Sequence, residues 1–144
     1  MFSHVMLGAR DLQAMVTFYD AVLAPLGLER DEAPGTTAGP GGVIWYVPGR
    51  RWPQFAIRKP LDGQPATAGN GVQVSFAARD ADTVDACWRA ALAHGGRDEG
   101  RPGPRPRYAE DFHAAYCRDP EGNKLCFVHA GGMEGCALPS RPAD

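Results

Sequence analysis

The chain contains an internal repeat, and that repeat limits what it can fold into. Phe2-Ser3-His4-Val5-Met6-Leu7-Gly8-Ala9-Arg10-Asp11 aligns with Gly71-Val72-Gln73-Val74-Ser75-Phe76-Ala77-Ala78-Arg79-Asp80 at a spacing of 69 residues. Ala-Arg-Asp recurs identically at 9–11 and 78–80, Val5 falls on Val74, and Leu7 falls on Phe76. At the same spacing Phe18-Tyr19 falls on Cys87-Trp88, Ala21 on Ala90, Leu23 on Leu92 and Gly27 on Gly96. This period is longer than the roughly 20–50 residues of a solenoid repeat. It fits two copies of one supersecondary unit.

Each copy opens with a strand. Val72, Val74 and Phe76 alternate with Gln73 and Ser75, and Val5 and Leu7 alternate with His4 and Met6, the period of a half-buried strand. A helix follows each. Leu12, Met15, Phe18, Tyr19, Val22, Leu23 and Leu26 recur at spacings of three and four, as do Val84, Cys87, Trp88, Ala91 and Leu92. Asp11, and Asp80 or Asp82, are placed to cap the helix starts, and Gly27 and Gly95-Gly96 suit their ends. Short strands come next, over 28–30, 43–47 and 54–58 in the first copy and 97–99, 112–117 and 124–128 in the second. Gly/Pro-rich turns are expected over 34–42 and 48–53, and Asp119-Pro120-Glu121-Gly122 turns the chain into the last strand. The unit reads βαβββ, twice, in an α+β domain over 1–130. Module one spans 1–58, a linker 59–70, module two 71–130, and a loosely ordered tail 131–144. Strand parity puts His4 and Gln73 on matching faces, opposite Val5 and Val74. Two such sheets are expected to curve around a central cavity.

Composition narrows the function. The chain has 144 residues, 15 Lys and Arg against 17 Asp and Glu, and a net charge of −2, which argues against a nucleic-acid surface. No apolar run approaches the roughly 18 residues of a membrane span. Met1-Phe2-Ser3-His4 lacks the basic and apolar segments of a secretory signal. Cys87, Cys117, Cys126 and Cys136 form no C-x-x-C pair, so reduced thiols and a cytoplasmic location are expected. Trp88 reads as helix core, and His94 and His129, near element ends, as solvent-exposed.

Three segments carry a resemblance. They are His4-Val5-Met6-Leu7 with Asp11, Phe18-Tyr19-Asp20-Ala21-Val22-Leu23-Ala24-Pro25-Leu26-Gly27, and Asp119-Pro120-Glu121-Gly122-Asn123-Lys124-Leu125. The chain resembles the vicinal-oxygen-chelate superfamily, which includes glyoxalase I, bleomycin-resistance proteins and extradiol dioxygenases, over about residues 2–129. The resemblance implies a glyoxalase-like fold, a small-molecule ligand and a homodimer. It also implies four cavity-facing strand positions that hold a divalent metal (Zn, Ni, Mn or Fe) in metal-using members. Carried over, these fall on His4, Gln73, Cys126, and Ala56 or Ile57, depending on whether the spacing is 70 or 69. Relatives carry a carboxylate where Cys126 stands, so the ligand set is incomplete and His4 is the best single ligand. A thiolate at Cys126 would serve a soft ion or act as a nucleophile, given a lowered pKa. As a buried small side chain it would only leave room for a ligand.

Other ligand-pocket candidates are Ser75, Trp45, Arg105, Arg107, Tyr108 and His113. Arg105, Arg107 and Tyr108 lie in a Pro-rich run before a strand, where guanidinium groups suit a carboxylate or phosphate. Trp45 and Tyr46 are adjacent, so only one faces the cavity. His113, Ala115 and Cys117 share a face opposite Phe112, Ala114 and Tyr116. Two functions follow: a glyoxalase-like lyase, isomerase or dioxygenase with a degenerate metal site, or a non-catalytic binding or resistance protein that sequesters a small molecule.

Overall fold

The computed structural model describes residues 2–31, 41–133 and 136. Two βαβββ units follow one another. The first is β1 (His4–Gly8), α1 (Leu12–Leu23), β2 (Glu29–Arg30), β3 (Gly42–Tyr46) and β4 (Gln54–Arg58); the second is β5 (Gln73–Ala77), α2 (Ala81–Ala93), β6 (Arg97–Pro104), β7 (His113–Arg118) and β8 (Lys124–His129). Each unit makes its own four-stranded mixed sheet, in the orders β1-β4-β3-β2 and β5-β8-β7-β6. The first strand of each unit runs parallel to the last, and the other pairs are antiparallel. Most of the segments expected as a turn over 34–42 and as a tail over 131–144 lie outside the described residues.

The repeat is visible in the caps. Asp11 accepts a bond from the backbone N–H of Ala14 at 3.0 Å, and Asp80 from that of Thr83 at 2.7 Å. The cap of α2 is therefore Asp80, and Asp82 lies within the first turn. The Thr83 hydroxyl and amide hold the Asp80 carboxyl below its ordinary range. Helix α1 stops at Leu23 because Pro25 cannot continue it, and a 3-10 turn over Ala24–Leu26 ends on Gly27 at φ 80°. Leu26 stays buried, so the apolar periodicity outlasts the helix.

Strand β6 is longer than its apolar pattern suggests. It runs through Gly100-Arg101-Pro102-Gly103-Pro104, with register shifts between Asp98 and Gly100 and between Gly100 and Gly103. An edge strand tolerates proline because only one side of it is bonded.

One core joins the two units. Rings of Tyr19 and Phe55 lie 4.7 Å apart, Phe55 and Phe76 5.3 Å, and Phe76 and Phe127 6.1 Å, a chain that crosses from one unit to the other. Trp45, Ile57, Leu125 and Cys117 complete it, and both helices lie within it. Trp88 packs half-buried against this core, with its indole N–H donating to Asp98. His94 is exposed as expected. His129 is half-buried instead, because its ring Nδ1 is 3.1 Å from the Ala78 carbonyl.

The Asp119 turn ties the units together. Asp119 is 3% exposed. Its carboxylate accepts from the amides of Glu121 and Asn123, the Asn123 side chain and the Tyr19 hydroxyl of the other unit, the last at 2.8 Å. Glu121 reaches the start of α1 and accepts from the backbone N–H groups of Arg10 and Asp11 at 2.7–2.8 Å. A carboxylate there meets orphan amide donors and the positive end of the helix. Arg79 answers from the second unit, donating to the Pro25 carbonyl at 3.2 Å.

Removing the Tyr19 hydroxyl tests this tie. Tyr19→Phe is expected to lower unfolding free energy by about 1.5–3 kcal/mol in urea titrations, the value of a bond to a charged group. Burial, then the Asp119 charge, raises the Tyr19 pKa, and burial pushes the Cys87 and Cys117 thiols up to about 12. These groups stay protonated longer when folded, so their stabilisation is present below their unfolded pKa values and is lost as pH rises toward the folded ones. Stability should therefore fall from about pH 9 upward, less steeply in Cys87→Ala than in the parent. At neutral pH a thiol reagent should modify exposed Cys136 first, with buried Cys87, Cys117 and Cys126 reacting only on unfolding.

Candidate functional site

The shared core uses one face of each sheet and leaves the other outside. In the first sheet the register pairs His4 with Gln54, Met6 with Ala56 and Ile44 with Ala56, so these side chains share the face away from the helices. In the second sheet Gln73 pairs with Lys124, Ser75 with Cys126, and Tyr116 with Cys126. The first and last strands of the two units thus correspond at spacings of 69 and 70. Ala56 is the counterpart of Cys126, which settles the choice between Ala56 and Ile57. Ile57 points the other way, into the core.

The first face forms a cavity of about 270 Å3 lined by His4, Met6, Ile44, Trp52, Gln54, Ala56 and Arg58. All seven belong to the first unit. Ile44 and Ala56 form a small apolar floor. The Trp52 ring, 43% exposed, stands 6.1 Å from the His4 ring, and the Ser3 hydroxyl lies 3.0 Å from His4 Nδ1. The Arg58 Nε–H donates to the Lys59 carbonyl at 3.4 Å.

The second face centres on Cys126, packed with Ala114 and Val128 beside Tyr116. The Gln73 side-chain amide donates to the Ser75 hydroxyl at 3.0 Å. Burial raises the Cys126 pKa and outweighs the Ser75 and Tyr116 hydroxyls and the Arg105 and Lys124 charges, which all favour the thiolate. Burial, then the neighbouring Cys126, likewise raises the Tyr116 pKa. Arg105 stacks over the Tyr116 ring at 5.6 Å, and Lys124 approaches the same ring at 5.5 Å. Arg107 lies over Tyr108 at 4.7 Å and donates to its hydroxyl.

The cavity between the units is a different one. It measures about 320 Å3 and is lined mainly by apolar side chains, among them Val5, Leu28, Phe55, Val74 and Phe76, with Ser75 and Gln54 at its polar margin. His4, Gln73 and Cys126 do not line it. Within one chain, then, His4 is in a cavity of the first unit, and Gln73 and Cys126 lie on the outer face of the second.

Two candidates from the sequence fall elsewhere. Trp45 is 1% exposed in the core, where its indole N–H donates to Asp20 at 2.9 Å. Tyr46 is the member of that pair on the outer face, opposite Gln54. His113 shares the helix-facing side with Ala115 and Cys117, and its Nε2 lies 3.4 Å from Asp85 of α2. Ile44, Gln54, Arg58, Tyr116 and Trp52 were not among the sequence candidates. Arg58 and Tyr116 were readable from strand parity, two positions from Ala56 and paired with Cys126; Trp52 sits in a turn, where no period marks it.

The donor set does not fit a divalent ion. The four corresponding positions hold His4, Ala56, Gln73 and Cys126: one imidazole, a methyl group, one neutral amide and one thiol that burial keeps protonated. Hard divalent ions need carboxylates, and zinc needs ionised thiols or several imidazoles. Among the described residues, no three His, Cys, Asp or Glu side chains are grouped to hold a metal. No helix of the described residues is long and apolar enough to cross a membrane.

Comparison with known proteins agrees with this architecture. Residues 1–127 match the model of the Glyoxalase/Bleomycin resistance protein/Dioxygenase superfamily. A glyoxalase/bleomycin resistance protein from Albidiferax ferrireducens T118 is 41% identical, with a TM-score of 0.75 over 90% of this chain and 98% of that one. A family enzyme from Burkholderia phytofirmans PsJN shares the fold at 21% identity, TM-score 0.66, over 88% and 96% of the two chains. So does a lactoylglutathione lyase from Agrobacterium tumefaciens, at 23% identity, TM-score 0.61, over 94% and 97%. No curated protein matches. The duplicated βαβββ fold, the family match and the 41% identical structure together show that the chain belongs to the glyoxalase/bleomycin resistance protein/dioxygenase superfamily.

Proposed function

We propose that this protein is a homodimeric, cytoplasmic, metal-independent binder of a small organic molecule. The ligand lies between the first outer face of one protomer and the second outer face of its partner. The observation that carries this reading is the exposure of β1 and β5. His4, Met6, Gln73 and Ser75 face solvent in one chain, and Met6 is 52% exposed. Both strands are also sheet edges with one unpaired side. Apolar side chains on open edges are an association hazard unless something covers them. A second copy, turned so that the faces meet, would cover both edges. It would also join His4 of one chain to Gln73 and Cys126 of the other. Cysteines that form no disulfide support a reducing compartment.

Binding is favoured over chemistry because no carboxylate lines the first cavity, Glu99 of the second face is paired with Arg118 and Lys124, and burial favours the Cys126 thiol. A lyase or isomerase reading rests on His4 alone, whose imidazole the Ser3 hydroxyl orients.

Sedimentation should give twice the mass of one chain, and Met6→Lys should shift it to one chain with its far-UV circular dichroism retained. A parent that stays monomeric at tens of micromolar and still binds small molecules would remove the shared-site reading. Treatment with a strong chelator should leave the melting temperature unchanged, since a metal held by the folded state would stabilise it by mass action. A drop of several degrees, restored by zinc or nickel, would show a metal the donor set does not anticipate.

A further inference from the structure

The first outer face carries the charge of an anion site. Among the seven residues lining the first cavity the only permanent charge is Arg58, and no carboxylate is present. Among the described residues its guanidinium makes no ion pair, and it donates one long bond, to the Lys59 carbonyl. Five other arginines are ion-paired: Arg10 with Glu121, Arg30 with Asp20, Arg79 with Asp80, Arg89 with Asp85 and Arg118 with Glu99. The second outer face is mixed in charge, since the Glu99 carboxylate there pairs with Arg118 and Lys124. Arg105 is stacked on Tyr116 and, among the described residues, donates to the carbonyls of Pro104 and Arg101. A site that held a cation would show the opposite sign.

We infer that the ligand is an organic monoanion, a carboxylate with a flat apolar body. The carboxylate pairs with Arg58, and the body lies over Ile44 and Ala56 against the Trp52 ring. This rests on the reading of the first outer face as the ligand site and adds its chemical class. Ala56 leaves the floor beside Arg58 low, apolar and free of negative charge. A planar guanidinium matches a carboxylate with two parallel N–H···O bonds. Arg58 is the one guanidinium among the lining residues, while Arg51 lies over the Trp52 ring at 5.7 Å, so the carboxylate is preferred for its planar match to Arg58. The volume of about 270 Å3 suits a body of one ring.

The test uses benzoate, its neutral counterpart benzamide, and phenylphosphonate, titrated into the full-length protein by calorimetry and by amide and indole NMR. Benzoate should bind at least tenfold tighter than benzamide and shift the Trp52 indole and His4 signals. Arg58→Gln should abolish that tenfold preference while leaving benzamide unchanged, and Arg58→Lys should retain part of it. The wild-type comparison needs no variant, so a folding defect in Arg58→Gln does not block the test. Equal affinity for benzoate and benzamide, with Trp52 still shifted, would overturn the anion inference and leave the site reading intact. Tighter binding of phenylphosphonate than of benzoate would overturn the assignment to a carboxylate. Shifts confined to other parts of the molecule would overturn both the inference and the site.

Discussion

The buried carboxylate of Asp119 is the interaction on which the arrangement depends. It is nearly sealed from solvent and would be costly without partners, and it has four donors: two amides and a side-chain amide of its own turn, and the Tyr19 hydroxyl of the other unit. The local bonds shape the turn into β8. The distant one binds the turn to α1. Glu121, two residues further on, adds its bonds to the start of the same helix. The units are thereby held with their helices and apolar sheet faces together.

The placement of the site follows from that tie and from strand geometry. Side chains alternate across a strand, so committing Phe55, Ile57, Leu125 and Phe127 to a shared core commits Ala56 and Cys126 to the outside. The polar and reactive groups of each unit are therefore gathered on an outer face, away from the other unit. Each face has an apolar patch, an aromatic ring and a cation: Ile44, Trp52 and Arg58 on one, Ala114, Tyr116 and Arg105 on the other.

Much of this could be read from the chain itself, for specific reasons. The repeat of Ala-Arg-Asp revealed two copies, and the copies share capping geometry at Asp11 and Asp80. Alternation at Val5 and Leu7, and at Val74 and Phe76, marked which faces match. Alternation does not say whether two matching faces meet within a chain, because that depends on which apolar sides pack together. The sequence expectation gathered the polar faces around one hollow, whereas the aromatic chain from Tyr19 to Phe127 gathers the apolar faces instead. Proline obscured β6, since a strand with one free side escapes the usual rule. Trp45 and Tyr46 were indistinguishable without register, and the pairing of Tyr46 with Gln54 separates them. Trp52 had no periodic signal at all.

The strap formed by Glu121 runs in one direction only. The corresponding position in the first unit, seventy residues earlier by the spacing of the last strands, is Arg51, and no acidic side chain stands in its turn. The turn over 49–52 therefore has no carboxylate with which to hold a helix of the second unit, and the same turn carries Trp52 to the mouth of the cavity. On one side of the pseudo-dyad the turn is a clamp, and on the other it is a wall of the candidate site.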